Sequence, residues 1–307
     1  MTTHNGIKLA DLITIDSKKT IKEVNSLYRK YYSSGSCRKI EKTRKLIVNL
    51  FNGKFKNYKA CNTEYHDLEH TEEAFLAVSR LLYGYNCING NAVLDENKAE
   101  CLLIAALFHD TGYIQEQWEK IGTGAKYTLC HVDRSIEFLR KHYNDFRIDK
   151  NNVELIASFI KVTDLAIEPS NVKFDSPDDR KAGYMLATAD IIGQMSNRRY
   201  LEKLMFLYNE FVEAAIPGYE SEYDLLKKTV GFYEIIKKRL TTKLDESYLF
   251  MNYYFKNIHD VERNLYIEAI DRNIDYIVKI INDSSTNFRS KLKRADWIVD
   301  FKPVESA

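Results

Sequence analysis

The chain reads as an all-α protein, on three observations. Its 307 residues include only 12 Gly and 4 Pro, too few turn formers for a many-stranded sandwich or barrel. Apolar residues recur at helical spacing along most of the length. No hairpin signal, internal repeat or low-complexity tract interrupts them. At 35.9 kDa, with 45% hydrophobic and 29% charged residues, the chain can bury a full core as one large domain or two modest ones, and wholesale disorder is excluded. The expected architecture is a helical bundle with additional N- and C-terminal helices.

Taken in order, residues 20–32 place Ile21, Val24, Leu27 and Tyr28 on one helical face, and residues 40–51 do the same with Ile40, Leu46, Ile47 and Leu50. Ser33-Ser34-Gly35-Ser36 between them is a turn signal, and 52–62 is polar and irregular. A helix is expected from about Leu68 to Leu82, followed by a loop rich in Asn and Gly from Gly84 to Asn97. Lys98 to His109 carries the unbroken run CLLIAALF at 101–108. That run is too short for a membrane span and apolar on every side, so it reads as a central core helix. Gly122-Thr123-Gly124 is a loop, and helices follow at about 130–143 and 151–163. A loop with Pro169 and Pro177 leads to a helix at about 179–196. The stretch 198–282 is strongly helical with a break at Ile216-Pro217-Gly218, and the tail from Asp283 is polar.

The net charge of +1 is unevenly placed: residues 18–59 hold 13 Lys/Arg against Glu23 and Glu41. Such a segment is either a solvated helical face or a surface for an anionic partner. Its aromatics (Tyr28, Tyr31, Tyr32, Phe51, Phe55, Tyr58) suit packing better than base stacking. The five cysteines form no C-x-x-C pair and leave one over, which excludes a zinc ribbon, argues against a disulfide framework and fits a reducing compartment. The first residues lack an apolar h-region and no apolar run approaches ~20 residues, so a cytoplasmic protein without a membrane span is expected.

Three features bear on chemistry. Tyr65-His66-Asp67-Leu68-Glu69-His70 sets two histidines four apart, on one face if helical. His109-Asp110 closes the apolar helix, and Asp190 closes another apolar stretch after Ala187-Thr188-Ala189. A carboxylate buried without compensation is expensive, so Asp110 and Asp190 each need a cation or a full set of donors. A divalent metal meets that need, with neutral imidazoles as further ligands. His4, His142 and His259 read as ordinary surface or core residues.

His70, then LFHDTGY at 107–113, then Asp190 resembles the HD-domain metal-dependent phosphohydrolase superfamily. The wording of YHDLEH at 65–70, CHVDRSIEFL at 130–139, VTDLA at 162–166 and ATADIIGQMS at 187–196 is similar to the class I cyclic-nucleotide phosphodiesterases, with a faint echo in KTVGFYE at 228–234. The resemblance covers roughly 65–196. The chain is expected to divide into a basic N-terminal helical segment packing on the core (1–60), an HD-type metal-binding catalytic core (61–215), which the resemblance implies, and a C-terminal helical extension (216–307). The resemblance further implies His70, His109, Asp110 and Asp190 as ligands of a first metal, Asp110 as a bridge to a second, and His66 as the general acid. The implied reaction is hydrolysis of a nucleotide-like phosphoester, by a phosphodiesterase or nucleotidase, through a metal-activated hydroxide.

Further residues carry two readings each. His131 is a second-metal ligand or a neighbour of the site, Asp164 a further ligand or a cap, and Lys126 a contact for a substrate phosphate or a plain loop lysine. The chain departs from the phosphodiesterase wording at Asp67 (Asn there), at Tyr113 (His there) and at Thr229, which stands where a purine-gripping glutamine is found. The donor set admits Mn, Fe, Mg, Zn, Ni or Co, with two ions expected. Two alternatives stand beside the hydrolase: a mixed-valence di-iron HD oxygenase, and a non-catalytic nucleotide-sensing or metal-binding module. The expected partner is a small phosphorylated substrate; segment 18–59 is a solvated face or a surface for an anionic partner, and the terminal helices are a lid, a dimer interface or a packing layer.

Overall fold

A computed structural model describes residues 7–12, 17–283 and 287–292; His4 lies outside them, as does most of the polar tail. The described residues form twelve α-helices and no strand. The helices are α1 (Leu9–Leu12), α2 (Ser17–Tyr28), α3 (Ser34–Phe51), α4 (Leu68–Asn89), α5 (Glu96–Phe108) and α6 (His131–His142). They continue with α7 (Val153–Lys161), α8 (Pro177–Met195), α9 (Tyr200–Glu213), α10 (Glu222–Lys238), α11 (Phe250–His259) and α12 (Leu265–Asn282). Side-chain caps explain many of the starts. Ser33, Asp67, Asp95, Ser176 and Ser221 each accept a backbone N–H of the first turn of α3, α4, α5, α8 and α10, satisfying donors that the helix itself leaves unpaired.

Three expected boundaries move, the first at α2, which runs Ser17–Tyr28 rather than 20–32. The Ser33–Ser36 turn is also the first turn of α3, because Ser33 caps it. The loop expected from Gly84 is instead helix up to Asn89, closed by Gly90 in the left-handed region at φ 69°. Gly84 is there for packing: a Cβ on it would stand 1.9 Å from the Phe250 carbonyl oxygen of α11. Pro177 opens α8 as its first residue, where a missing N–H costs nothing.

Helices α4, α5 and α8 form the centre. α8 and α11 pack along α4, α5 is enclosed by α3, α4, α7 and α8, and α12 covers α8 and α10. All of α5 from Ala99 to Phe108 is buried, so the chain that leaves its C-terminus delivers His109 and Asp110 to the interior. Arg80 of α4 is fully buried, held by Glu23 (2.8 and 3.1 Å), by the Tyr266 hydroxyl (2.9 Å) and by the Leu12 carbonyl (3.2 Å). Within the basic segment Tyr28, Phe51, Phe55 and Tyr58 are buried, as their type suggested. Lys39, Arg44 and Lys56 pair with Glu100, Glu72 and Asp145. All five cysteines are free, and no helix among the described residues is long and apolar enough to cross a membrane.

Candidate metal centre

The first turn of α4, the end of α5 and the last third of α8 meet at one point. Asp67 accepts the His70 backbone N–H at 2.9 Å, so the residue that departs from the phosphodiesterase wording caps the helix bearing the histidine. His109 and Asp110 are held by the turn that follows them. Ser135 of α6 donates to the His109 carbonyl (2.6 Å) and accepts from Gly112 N (2.8 Å), while Arg134 donates to the Gly112 carbonyl (2.8 Å). Gly112 permits this docking, since a Cβ there would stand 2.0 Å from the His131 carbonyl oxygen.

His70 Nε2 lies 3.1 Å from Asp110 Oδ2 and 3.1 Å from Asp190 Oδ1. His109 Nε2 lies 3.2 and 3.6 Å from the same two oxygens and 3.3 Å from His70 Nε2. His70, His109 and Asp110 are almost wholly buried. Despite these contacts Asp110 Oδ2 has no hydrogen-bond partner: the atoms converge without donor–acceptor alignment. His109 Nδ1 is spent on the Ala106 carbonyl at 2.8 Å, which assigns its proton there and turns the Nε2 lone pair inward. Burial disfavours charge on His70, yet Asp110 and Asp190 beside it raise its pKa to about 9. Burial alone would also raise both carboxyls, but the imidazoles hold Asp110 well below, and Asp190 below, the ordinary range. Two nitrogens and two oxygens stacked against one another in this way compete for protons. One divalent cation, with ligands ~2.0–2.2 Å away, would satisfy His70, His109 and Asp110, whose ligand atoms all lie within 4.8 Å of one another, with Asp190 flanking the two imidazoles. The donor set therefore fits a metal ion.

A second position beside it is only partly furnished. The other oxygen of Asp110, Oδ1, faces His131 Nε2 at 3.7 Å, and His131 Nδ1 is fixed by the Thr128 carbonyl at 2.7 Å. Burial pushes the His131 pKa down, with Asp110 opposing it. Asp164 lines the same cavity, but its carboxylate accepts Ala166 N at 2.9 Å and lies 3.5 Å from Lys161 Nζ, so it caps a turn. Lys126 is not brought to the cluster: its ammonium donates to the Ile121 carbonyl at 2.9 Å and pairs with Glu119 at 3.2 Å. The Gly122–Gly124 loop that precedes it, expected to be flexible, is tied down by Glu213 through Thr123.

His66 stands next to the cluster, stacked on Tyr113 (ring centroids 4.4 Å, 12° between planes), which itself stacks on His131 (4.6 Å, 22°). His66 Nδ1 meets Glu210 Oε2 at 2.6 Å, and Glu210 Oε1 accepts the backbone N–H of Glu64, Tyr65 and His66 at 3.1, 2.8 and 3.4 Å. Glu210 was not expected from the sequence. The available signal was spacing: an acid between Leu207 and Phe211 lies on the apolar face of α9. Gln194 was also missed. It lies four residues after Asp190 on α8 and lines the same cavity. His142 and His259 are structural, bonded to the hydroxyls of Tyr58 (2.9 Å) and Tyr254 (3.1 Å).

The cluster opens into a cavity of about 300 Å³, bounded by α8, α9, α10 and the turn at 163–166. No curated protein matches the chain. Residues 116–268 match the model of a protein family described as Npun_R2479-like, a stretch that includes His131, Asp190, Gln194 and Glu210 and leaves His66, His70, His109 and Asp110 outside.

Proposed function

We propose that this chain is a metal-dependent phosphohydrolase of the HD type, hydrolysing a phosphoester of a small, nucleotide-like substrate. The observation that carries the reading is the convergence of His70, His109, Asp110 and Asp190 on one point, with His66 held beside it by Glu210. A cation bound there would neutralise phosphoryl oxygens and lower the pKa of water toward neutrality.

The protein's own groups account for the rest. Water adds to phosphorus, the bond from phosphorus to the leaving oxygen breaks, and that oxygen needs a proton. His66 lines the cavity, and with Nδ1 committed to the Glu210 carboxylate its Nε2 is the atom that hands the proton over. Three backbone N–H groups on Glu210 Oε1 fix the carboxylate, which in turn fixes the ring. Tyr113 blocks the face of His66 and keeps its plane constant. Asp110, with one oxygen toward the imidazole pair and the other toward His131, is placed to serve one ion or two. The di-iron alternative asks for more ligands at the second position than Asp110 and His131 offer.

The test is a turnover screen of aryl phosphoesters and linear and cyclic nucleotides with Mn²⁺ and Mg²⁺, beside metal analysis. Asp110→Ala is expected to bind less than a tenth of the wild-type metal and to lose at least 10³-fold in turnover with its helical circular dichroism intact. Wild-type turnover by that variant refutes the assignment.

A further inference from the structure

The cavity is chemically lopsided. At one end stand the histidines and aspartates. At the other, Leu204, Leu207 and Phe211 of α9, Ile216, and Phe232 and Ile236 of α10 form an apolar wall. Around its mouth large apolar side chains face solvent: Leu129 is 77% exposed, Leu165 50% and Phe232 37%. Isolated exposed apolar groups are ordinary, but three around one opening mark a binding surface.

The polar groups along this wall are spent or neutral. The hydroxyls of Thr128, Thr163 and Thr229 donate to the carbonyls of Ala125, Ile160 and Leu225 at 2.7, 2.8 and 2.9 Å. Among the described residues Lys228 is the one lysine or arginine lining the cavity. Its ammonium donates to the Gly218 carbonyl (2.5 Å) and to Asp224 (2.6 Å). Polyphosphates are gripped by several free cations or backbone nests, and this wall presents neither. What stays available for hydrogen bonding there is neutral, such as the Gln194 amide. Size agrees: a cavity of ~150 Å³ accommodates benzene, so about 300 Å³ suits one or two rings or a short chain.

We infer that the substrate is a phosphoester with a single phosphoryl group and an apolar, ring-sized body seated against α9, α10 and Leu165, and that nucleoside polyphosphates are disfavoured. This rests on the reading that the cluster binds a phosphoryl group, and narrows the nucleotide-like class to its most apolar members. The apolar wall supplies the affinity by removing ring surface from water, while the metal end fixes the anionic head.

The experiment is calorimetric titration of the full chain loaded with Mn²⁺, using phenylphosphonate, methylphosphonate and ADP. Phenylphosphonate is expected to bind at least tenfold tighter than methylphosphonate and tighter than ADP. Leu165→Ser and Phe232→Ser, on partly exposed positions, are expected to cut the phenyl-to-methyl ratio at least threefold, with retained Mn²⁺ binding as the check on folding. A ratio below two, tighter binding of ADP, or binding of neither phosphonate overturns the inference. If phenylphosphonate binds as expected and no phosphoester is turned over, the hydrolase reading fails and the preference for a ligand with one phosphoryl group and an apolar body stands. If methyl and phenyl phosphoesters are turned over with equal kcat/KM, the reverse holds.

Discussion

His66 differs from its neighbours in having no carboxylate of the cluster against it; its partner is Glu210, brought in from 144 residues further along. That separates its task from ligation and makes it testable by leaving-group dependence. His66→Ala is expected to slow esters of poor, alkyl-type leaving groups by about 10²–10⁴-fold and 4-nitrophenyl esters by less than about tenfold, since the latter leave without a proton. Glu210→Gln, which keeps the shape and removes the charge, is expected to show the same ordering at about tenfold. Equal losses for both ester classes in steady-state kinetics would falsify the acid role. His109, Asp110 and Asp190 were legible because an ionisable group at the end of an apolar run has few inexpensive explanations, and His70 because it follows another histidine by four residues. Glu210 and Gln194 were not, because a lone acid or amide inside an amphipathic helix looks like any solvated position until the helix is docked. Lys126 misled because a loop lysine carries no mark of its partner.

The turn joining α5 to α6 is the element on which the centre depends. It has no room: Gly112 lies against the backbone of α6, and Ser135 and Arg134 stitch the two together. Gly112→Ala is therefore expected to push α6 away, cost about 2–3 kcal/mol in urea unfolding through overpacking, and weaken Mn²⁺ binding at least tenfold. The neighbouring Gly124→Ala tests whether any glycine in this crowded corner behaves alike; its Cβ would meet the Tyr113 carbonyl oxygen at 2.0 Å, and the Tyr113–His66 stack should then shift with it. Helix existence was readable from periodicity, as at α3 and α8, whereas the starts set by the caps Ser33 and Ser176 were not. The extension of α4 past Gly84 was hidden, because a glycine that admits a neighbouring helix and one that starts a loop look identical in a sequence.

Across the whole molecule, the buried Arg80 ties α4 to α2, α11 and α12: Glu23 pairs with it, and the ring of Tyr254 lies 5.1 Å from the guanidinium. Burial pushes the Glu23 carboxyl up, but the Arg80 charge and hydrogen bonds outweigh it and hold the pKa below the ordinary 4.5. A carboxyl depressed in the folded state adds stability that is complete above pH 4.5 and disappears as pH falls through its folded value. Glu23→Gln is expected to cost about 2 kcal/mol at pH 7, less below pH 4, measured by urea denaturation across that range. A pH-independent difference would show that the carboxylate charge is not what Arg80 uses. That the terminal helices form part of the core was not readable beforehand: α11 and α12 carry ordinary amphipathic faces, and nothing in their pattern names α4 and α8 as the surfaces they cover.

The three stretches that deliver the candidate ligands begin at residues 70, 109 and 190 and touch only once α4, α5 and α8 have docked. No short piece of this chain carries more than two of the candidate ligands, so an ion bound by the whole set would be captured late in folding. Added metal should slow the unfolding of the finished protein and leave its early collapse untouched.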